Sequence, residues 1–306
     1  CPEPQQIIDR FEPEFEKLEA GIVLQAYLPD SFRMQQQLTD WAIRRHQRTG
    51  AGIKVRIVKG ANLAMEQVEA ALRDWPQAPY RSKLESDANF KRMLEYASRP
   101  EHAAVVRVGV ASHNLFDVAW ALVLRGRLPA DQRARIELEM LEGMAPAQSR
   151  AVRKVAGSLL LYAPVVQRDQ IDASIAYLAR RLDENTAPEN FLRSLFTITP
   201  GSPDFAEQAE RFRRSVADRH DVSTARRRVA AAPTDAAFGN EPDSDPTDAV
   251  LRDRLRLAVE PPSARREPVV VDDINEIDDI VRSAVAAQPR WAAIGDVERR
   301  RVLSTV

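Results

Sequence analysis

The chain has 306 residues, of which 44% are hydrophobic and 29% charged, and its formal net charge is -1. These proportions are those of an ordinary globular protein, and the near-neutral balance gives no electrostatic reason to expect a nucleic acid or an acidic membrane as a partner. The single cysteine, Cys1, excludes a disulfide framework within the chain and fits a reducing cytoplasm. No apolar run reaches the ~20 residues of a membrane span, and the polar first residues are unlike a signal peptide. We expect a cytoplasmic protein, truncated before Cys1.

Five short apolar or β-branched runs predict β-strands, each buried on both faces. They cover residues 21–28, 53–60, 103–110, 136–141 and 158–164. Between them, apolar residues recur at helical spacing, as in the stripes Met34-Leu38-Trp41-Ala42, Leu115-Val118-Ala119-Leu122 and Ile171-Ile175-Leu178-Leu182. The last stripe is expected to face the core. Strands that alternate with helices predict an α/β protein with a parallel sheet and crossover helices.

Two parallel architectures fit this alternation, an open doubly wound sheet and a closed (β/α)8 barrel. No glycine-rich phosphate-binding fingerprint follows any strand, which disfavours the doubly wound sheet. Polar residues stand where the predicted strands end, at Lys59, His113, Asn114, Glu142 and Tyr162. Barrel enzymes build their active sites at that edge. Because only about five of the eight units of a barrel are recognisable, either the sheet is open or roughly three units lie upstream.

The pattern changes after residue 229. Residues 230–268 are predicted to be a linker, rich in Pro, Asp and Ala with little apolar periodicity. A short strand is predicted at residues 269–271, followed by a helix capped by Asp272 or Asp273 that runs to Ala287. A second helix is predicted from Asp296. The expected division is therefore residues 1–229, a linker, and the start of another domain at residues 269–306.

The end of the second predicted strand carries cations and a glycine, in the run Val55-Arg56-Ile57-Val58-Lys59-Gly60-Ala61. Gly60 allows the backbone to approach a ligand closely, and Arg56 and Lys59 are suited to stabilise negative charge on a cofactor. The alternative is a plain turn with a solvated Lys59.

The end of the third predicted strand carries Ser112-His113-Asn114. A histidine at a strand end is a lead for chemistry, since its pKa lies near neutrality. Alternatively, Ser112 or Asn114 caps the following helix and His113 packs beside the cap. The residues alone leave both interpretations open. No set of His, Cys and carboxylates has metal-ligand spacing, so no metal is expected.

One helix places Tyr177, Arg180, Arg181 and Glu184 on a single stripe. Two guanidinium groups beside a tyrosine suit a carboxylate ligand, because arginine binds carboxylates in bidentate fashion. The alternative is a solvated face with weak Arg–Glu184 salt bridges. Leu141 and Tyr162, at the ends of the last two strands, either wall an apolar pocket or belong to the core.

Together these motifs resemble the proline dehydrogenase family, in particular its bifunctional proline utilization enzymes. The matching segments occur in the order LQAYL, VRIVKGA, ASHN, EMLEGM, YAPV and YLARRLDEN, over most of residues 20–200. The resemblance implies a (β/α)8 barrel that binds FAD at the carboxyl ends of its strands, of which this chain carries the last five. It also implies oxidation of L-proline to 1-pyrroline-5-carboxylate by hydride transfer to the flavin, a membrane quinone as electron acceptor, peripheral contact with the inner face of the membrane, and a homo-oligomer.

The resemblance also implies where the ligands bind. The flavin contacts fall on Gln25, Arg56, Val58, Lys59, Gly60, Ala61, Ser112, His113, Asn114 and Glu184, and the proline site falls on Leu141, Tyr162, Tyr177, Arg180 and Arg181. The arginine pair would hold the proline carboxylate, and Arg56, Lys59 and His113 would stabilise the reduced flavin. The family's early strands supply an acidic and a basic active-site residue that have no counterpart here. We therefore assign no catalytic residue, and expect this piece alone to be inactive.

The sequence departs from the family pattern after the KGA motif, where Asn62 and Leu63 stand in place of an aromatic residue found in some members. Val166 replaces a glycine, and Ser112 replaces a more usual threonine. The tail, with AVAAQPRW and DVERRRVL, resembles the opening of an aldehyde dehydrogenase domain, which uses NAD to oxidise glutamate semialdehyde to glutamate. The NAD site would lie beyond Val306.

Two other functions stay open. The chain is a non-catalytic scaffold or interaction module if it lacks the remaining strands in its native form. It is an unrelated barrel lyase or aldolase if Lys59 forms a Schiff base with a carbonyl substrate.

Overall fold

The computed structural model describes residues 8–9, 12–186, 190–195, 197–229, 243–259 and 270–304, without the side chains of residues 12, 13 and 183–186. The chain divides into two compact units, residues 1–248 and residues 249–306. Among the residues described, no helix combines the length and the apolarity that crossing a lipid bilayer would require.

A parallel sheet forms the centre of the first unit. Its strands, in the described residues, are β1 (Gly21–Gln25), β2 (Ile53–Val58), β3 (Val106–Ala111), β4 (Ile136–Leu141) and β5 (Leu160–Tyr162), and each pairs with the next in parallel. The predicted parallel α/β architecture is confirmed. A doubly wound sheet reverses its strand order at a switch point, whereas successive strands of a (β/α)8 barrel are neighbours. The strand order in this five-stranded sheet therefore agrees with that of a (β/α)8 barrel.

The strand boundaries agree with the predicted runs to within a few residues. β4 matches its prediction at both ends. β3 begins only at Val106, because Pro100–Ala103 forms a single helical turn with proline at its first position. β5 is reduced to three residues.

Helices connect the strands and continue beyond them. They are α1 (Glu12–Phe15), α2 (Ser31–Thr49), α3 (Leu63–Leu72), α4 (Lys83–Ala97), α5 (Pro100–Ala103), α6 (Leu115–Gly126), α7 (Pro146–Ala156), α8 (Ile171–Thr186) and α9 (Pro203–Ala217) in the first unit. Short 3-10 helices lie at Arg133–Arg135, Arg168–Gln170, Phe191–Ser194 and Asp218–His220.

The two faces of the sheet differ in chemistry. One face is buried against the helices and carries alternate apolar residues, among them Val55, Ile57, Val108, Leu138 and Met140. Burying each such side chain stabilises the fold by roughly 1.5–3 kcal/mol. The opposite face carries charged residues that are mostly half-buried, with the sequence IKVRIV in β2 and IELEML in β4. The expectation of strands buried in apolar surroundings on both faces is therefore wrong.

Side-chain caps fix where two of the helices begin. Ser82 and Glu85 form a reciprocal capping box at the start of α4. The Asn114 side chain accepts a hydrogen bond from the backbone N–H of Phe116 (2.9 Å) and starts α6. These caps place Asp87 and Asp117, near the first turns of α4 and α6, close to the ends of the strands.

The apolar stripe of α8 does not face the core, contrary to the prediction. Ile171, Ile175, Leu178 and Leu182 are 57%, 59%, 40% and 60% exposed. The neighbouring strand β5 offers only three residues, and their side chains are themselves exposed. Periodicity correctly identified an amphipathic helix, but in the described part of the chain its apolar side lacks a buried partner surface.

The second unit is helical where it is described, with α10 (Ala249–Val259), α11 (Ile274–Ala293) and α12 (Asp296–Leu303). Asp273 caps α11, as predicted, by accepting a hydrogen bond from the backbone N–H of Asn275 (2.8 Å). The helix continues through Pro289 to Ala293, past the predicted end at Ala287. Val270 and Val271 do not form the predicted strand, and Val269 lies outside the described residues. α10 falls inside the predicted linker, 230–268; the predicted domain division itself stays a prediction.

Candidate functional site

The carboxyl edge of the sheet brings the predicted ligand-binding segments together. β2 ends at Val58, which pairs with Gln25 at the end of β1, and both side chains are half-buried. Gly60 then adopts φ +116°, and a Cβ there would lie 2.5 Å from the Tyr27 ring. This position therefore requires glycine for two reasons: its φ is one that other residues rarely adopt, and the Tyr27 ring leaves no room for a side chain. The backbone of Gly60 and Ala61 thus follows directly after the carboxyl end of β2.

Lys59 does not extend into solvent, so the plain-turn alternative is wrong for this residue. Its ammonium lies 2.5 Å from Asp87 Oδ1 and 2.6 Å from Asp117 Oδ2. Burial, the largest single effect, lowers the pKa of Lys59, but the charges and hydrogen bonds of Asp117 and Asp87 outweigh it, so the pKa is raised. A Schiff-base lysine needs a neutral amine, and the lyase hypothesis is disfavoured accordingly.

Asp117 is the centre of this buried charge cluster. It is 0% exposed and also contacts the ammonium of Lys91 at 2.6 Å. The hydroxyl of Ser112 donates to its second oxygen at 3.2 Å. Burial raises the pKa of Asp117, but the charges of Lys59 and Lys91 outweigh it and lower the pKa. One ionised carboxylate thus ties the turn after β2 to the turn after β3.

The turn after β3 combines the two interpretations left open by the sequence. Asn114 caps α6, and the Ser112 hydroxyl accepts a hydrogen bond from the Asn114 backbone N–H at 3.1 Å. His113 is turned toward β4, where its Nε2 accepts a hydrogen bond from the backbone N–H of Leu141 at 3.0 Å. Capping is therefore confirmed, and His113 is placed beside Leu141, a predicted substrate residue.

His113 also carries a buried hydrogen-bond donor at this edge of the sheet. Burial lowers the pKa of His113, so the ring is neutral at pH 7. Because Nε2 accepts a hydrogen bond, the proton belongs on Nδ1. This nitrogen is buried and has no hydrogen-bond partner in the part of the chain that the structure describes. A buried N–H without a partner costs about 1–3 kcal/mol, which a bound acceptor would remove.

A row of cations and tyrosines leads from β2 to α8. The Arg56 guanidinium lies over the Tyr162 ring, 4.8 Å from its centroid, and the rings of Tyr162 and Tyr177 are 6.3 Å apart. Arg181 lies 5.3 Å from the centroid of the Tyr177 ring. A chain of side-chain contacts thus links Arg56, a predicted flavin contact, to three residues of the predicted proline site.

Arg181 is docked to the turn after β2, so the interpretation of a merely solvated face is wrong for it. Its Nη2 donates to the carbonyl of Ala61 (3.2 Å) and to Asn62 Oδ1 (3.1 Å). Asn62, which stands where some family members have an aromatic residue, therefore contacts the arginine pair. Arg180 is half-buried on the same helix. Glu184 belongs to α8, but its side chain lies outside the described residues.

Several functional candidates were missed in the sequence. Asp117 stands alone in the apolar run Leu115–Leu124, and an isolated carboxylate there is a signal for a buried partner. Asp87 and Lys91 lack such a signal, since α4 is rich in charge. Glu139 is 1% exposed and contacts Arg56 and Lys54. The alternation in IELEML marks it as a residue of the charged face.

The proline dehydrogenase family model matches residues 5–194, more than half of the chain. Proline utilization A from Corynebacterium freiburgense is 44% identical with a TM-score of 0.68, over 91% of this chain and 26% of that one. Proline utilization A from Bdellovibrio bacteriovorus, solved after inactivation by N-propargylglycine, is 32% identical with a TM-score of 0.63, over 83% of this chain and 24% of that one. A comparison with curated proteins gave no match. The chain spans about a quarter of the length of these two structures. On the family model and these identities, the chain belongs to the proline dehydrogenase family.

Proposed function

We propose that the full-length protein oxidises L-proline to 1-pyrroline-5-carboxylate with FAD as its cofactor. The observation that carries the proposal is the meeting, at one edge of the sheet, of Arg56, Arg181 and the Nδ1–H of His113, which has no hydrogen-bond partner among the described residues. It is supported by the membership of the chain in the proline dehydrogenase family.

The residues at this edge fit a flavin. The Nδ1–H of His113 is a buried donor that a flavin acceptor atom would satisfy, and Arg56 supplies positive charge at the same edge of the sheet. Ala61 follows with only a methyl side chain, whereas at Gly60 the Tyr27 ring takes the place of a side chain. When bound, FAD supplies the two-electron acceptor for a hydride from the proline ring. Gln25, Val58, Ser112, Asn114 and Glu184 complete the proposed cofactor contacts. The ammonium of Lys59 is paired with Asp87 and Asp117. In the proposed site, therefore, His113 donates the hydrogen bond to the flavin and Arg56 supplies the positive charge.

The proposed proline site lies between β4, β5 and α8. Arg180 and Arg181 hold the substrate carboxylate, with Arg181 oriented by Ala61 and Asn62. Leu141, Tyr162 and Tyr177 pack against the apolar ring and exclude water from it. The amine loses one proton and the ring carbon one hydride, so the product carries a carbon–nitrogen double bond.

The remaining proposals concern the larger protein. Further strand–helix units of the same chain would complete the barrel and cover the exposed stripe of α8. The segment from residue 269 would open an aldehyde dehydrogenase domain that uses NAD to oxidise glutamate semialdehyde to glutamate. A membrane quinone would reoxidise the flavin, with peripheral contact at the inner face of the membrane, in a cytoplasmic homo-oligomer.

The exposed apolar stripe of α8 also favours a second candidate, a non-catalytic interaction module. The two candidates differ in cofactor content. A module would purify without flavin and would bind a partner through α8, whereas the enzyme needs flavin and proline turnover.

The test is the steady-state kinetics of the full-length gene product, with a dye as electron acceptor. Arg181→Met should raise the KM for proline by at least tenfold, because it removes a charge-assisted hydrogen bond of about 1.5–3 kcal/mol. Arg213→Met, at a 69% exposed arginine of α9, is the matched control and should leave KM unchanged. An unchanged KM in Arg181→Met would remove this residue from the proposed site, and absence of proline-dependent dye reduction would refute the function.

A further inference from the structure

The charged face of the sheet contains a carboxylate that directly contacts Arg56. Glu139 on β4 is 1% exposed, and its Oε2 accepts a hydrogen bond from Arg56 Nε. Its Oε1 lies 2.8 Å from the ammonium of Lys54. The two cationic partners hold the Glu139 carboxylate in place, because a buried charge that loses its partner costs free energy.

Three strands are needed to build this contact. Arg56 and Lys54 belong to β2 and Glu139 to β4, so β3 lies between the partners. At the crossing point β3 carries Gly109, where a Cβ would lie 2.2 Å from Glu139 Oε1 and 3.2 Å from Lys54 Cε. Any larger residue would displace Glu139 from its cationic partners. The glycine therefore opens the path across the sheet through which Glu139 reaches Arg56.

Arg56 is held from two sides. Glu139 binds Nε, and the Tyr162 ring lies 4.8 Å from Cζ. No hydrogen bond of the two terminal nitrogens is seen among the described residues. They are donors that remain available toward the proposed flavin, whereas the Glu139 carboxylate reduces the positive potential that Arg56 presents there.

We propose that Glu139 is a positioning residue that fixes the Arg56 side chain. Its negative charge partly offsets the positive charge of Arg56 and thereby keeps the midpoint potential of the bound flavin low. The inference rests on the proposed function, since it requires the flavin beside Arg56. Reduction of a flavin adds negative charge, and a nearby carboxylate opposes that addition. Removing the carboxylate while keeping an acceptor for Arg56 Nε should therefore favour the reduced flavin.

The experiment compares midpoint potentials in the full-length protein purified with FAD. Glu139→Gln retains an amide oxygen for Arg56 and leaves Lys54 paired with Glu137 at 2.7 Å. Its potential should shift in the positive direction, and the KM for proline should change less than twofold. Glu137→Gln is the matched control, because it makes the same charge change on the same face, two residues farther from the carboxyl edge. Glu137 pairs with Lys54 and Arg107, whereas Glu139 pairs with Lys54 and Arg56. The shift in Glu137→Gln should be clearly smaller.

The outcomes separate the inference from the function on which it rests. If Glu139→Gln binds flavin with a potential that is unchanged, lowered, or equal to that of Glu137→Gln, the inference is overturned and the function stands. If the parent protein holds no flavin, the function and the inference both fail. Should Glu139→Gln not fold, the same substitution is made in a Lys54→Met background and compared with Lys54→Met alone. The added substitution should still shift the potential in the positive direction, and any other result overturns the inference.

Discussion

Replacing Asp117 by asparagine should open the carboxyl edge of the sheet. The substitution keeps the size of the side chain but removes the charge that Lys59 and Lys91 contact, each at 2.6 Å. Removing one partner of a buried ion pair costs about 3–5 kcal/mol. Because Lys59 keeps Asp87 and asparagine still accepts a hydrogen bond, we expect about 3 kcal/mol. One factor of ten per 1.4 kcal/mol then gives roughly 10²-fold faster exchange of protected amides.

The assay is hydrogen–deuterium exchange with mass spectrometry on the full-length protein. Peptides that cover β2 and β3 report the opening of this part of the sheet. The matched control is Asp243→Asn, which removes a 63% exposed carboxylate paired with Arg73 at 3.2 Å. An exposed pair contributes about 0.2–1 kcal/mol at most, so exchange should change by less than about fivefold. Equal exchange in the two variants would refute the argument that Asp117 binds the two turns together.

Two further predictions follow from the same edge. Gly60→Ala should destabilise the fold by more than about 1 kcal/mol, since the φ of this residue is +116° and its Cβ would overlap the Tyr27 ring. The control is Gly126→Ala, which has open space around it at the end of α6 and should be neutral or stabilising. Hydrogen exchange of the β2 amides in both variants checks this prediction. The second prediction concerns pH. The free energy of opening of β2 and β3, obtained from amide hydrogen exchange after correction for the intrinsic exchange rates, should be constant near neutral pH. The lowered pKa of Asp117 means that its contribution is present above its unfolded value of about 3.9 and is lost as pH falls through the folded value. The raised pKa of Lys59 means that its contribution is present below about 10.4 and is lost as pH rises through the folded value. An acid-side loss of equal size in Asp117→Asn would contradict the assignment.

Local chemistry predicted much of the fold. β4, the caps at Asn114 and Asp273, and the parallel α/β order follow from apolar periodicity and from side chains that bond their own backbone. The polar residues at the ends of the strands do meet at one edge, because the strands are parallel.

What the sequence did not predict depends on which surfaces meet. Lys59 shares strand parity with Ile57, whose side chain faces the helices, but the carboxylates that pair with Lys59 come from α4 and α6, distant in sequence. The alternation of Lys54 with Arg56, and of Glu137 with Glu139, indicates a charged face, yet it does not reveal the crossing at Gly109. The stripe of α8 illustrates the same limit, since periodicity defines an apolar side without defining what covers it.

The most direct test of the proposed function is anaerobic addition of L-proline to the full-length protein purified with FAD. We expect a flavin absorbance spectrum before addition and bleaching of its visible band afterwards, at a proline concentration that Arg181→Met raises. A protein without flavin absorbance, or a flavin band that proline leaves unchanged, would contradict the account.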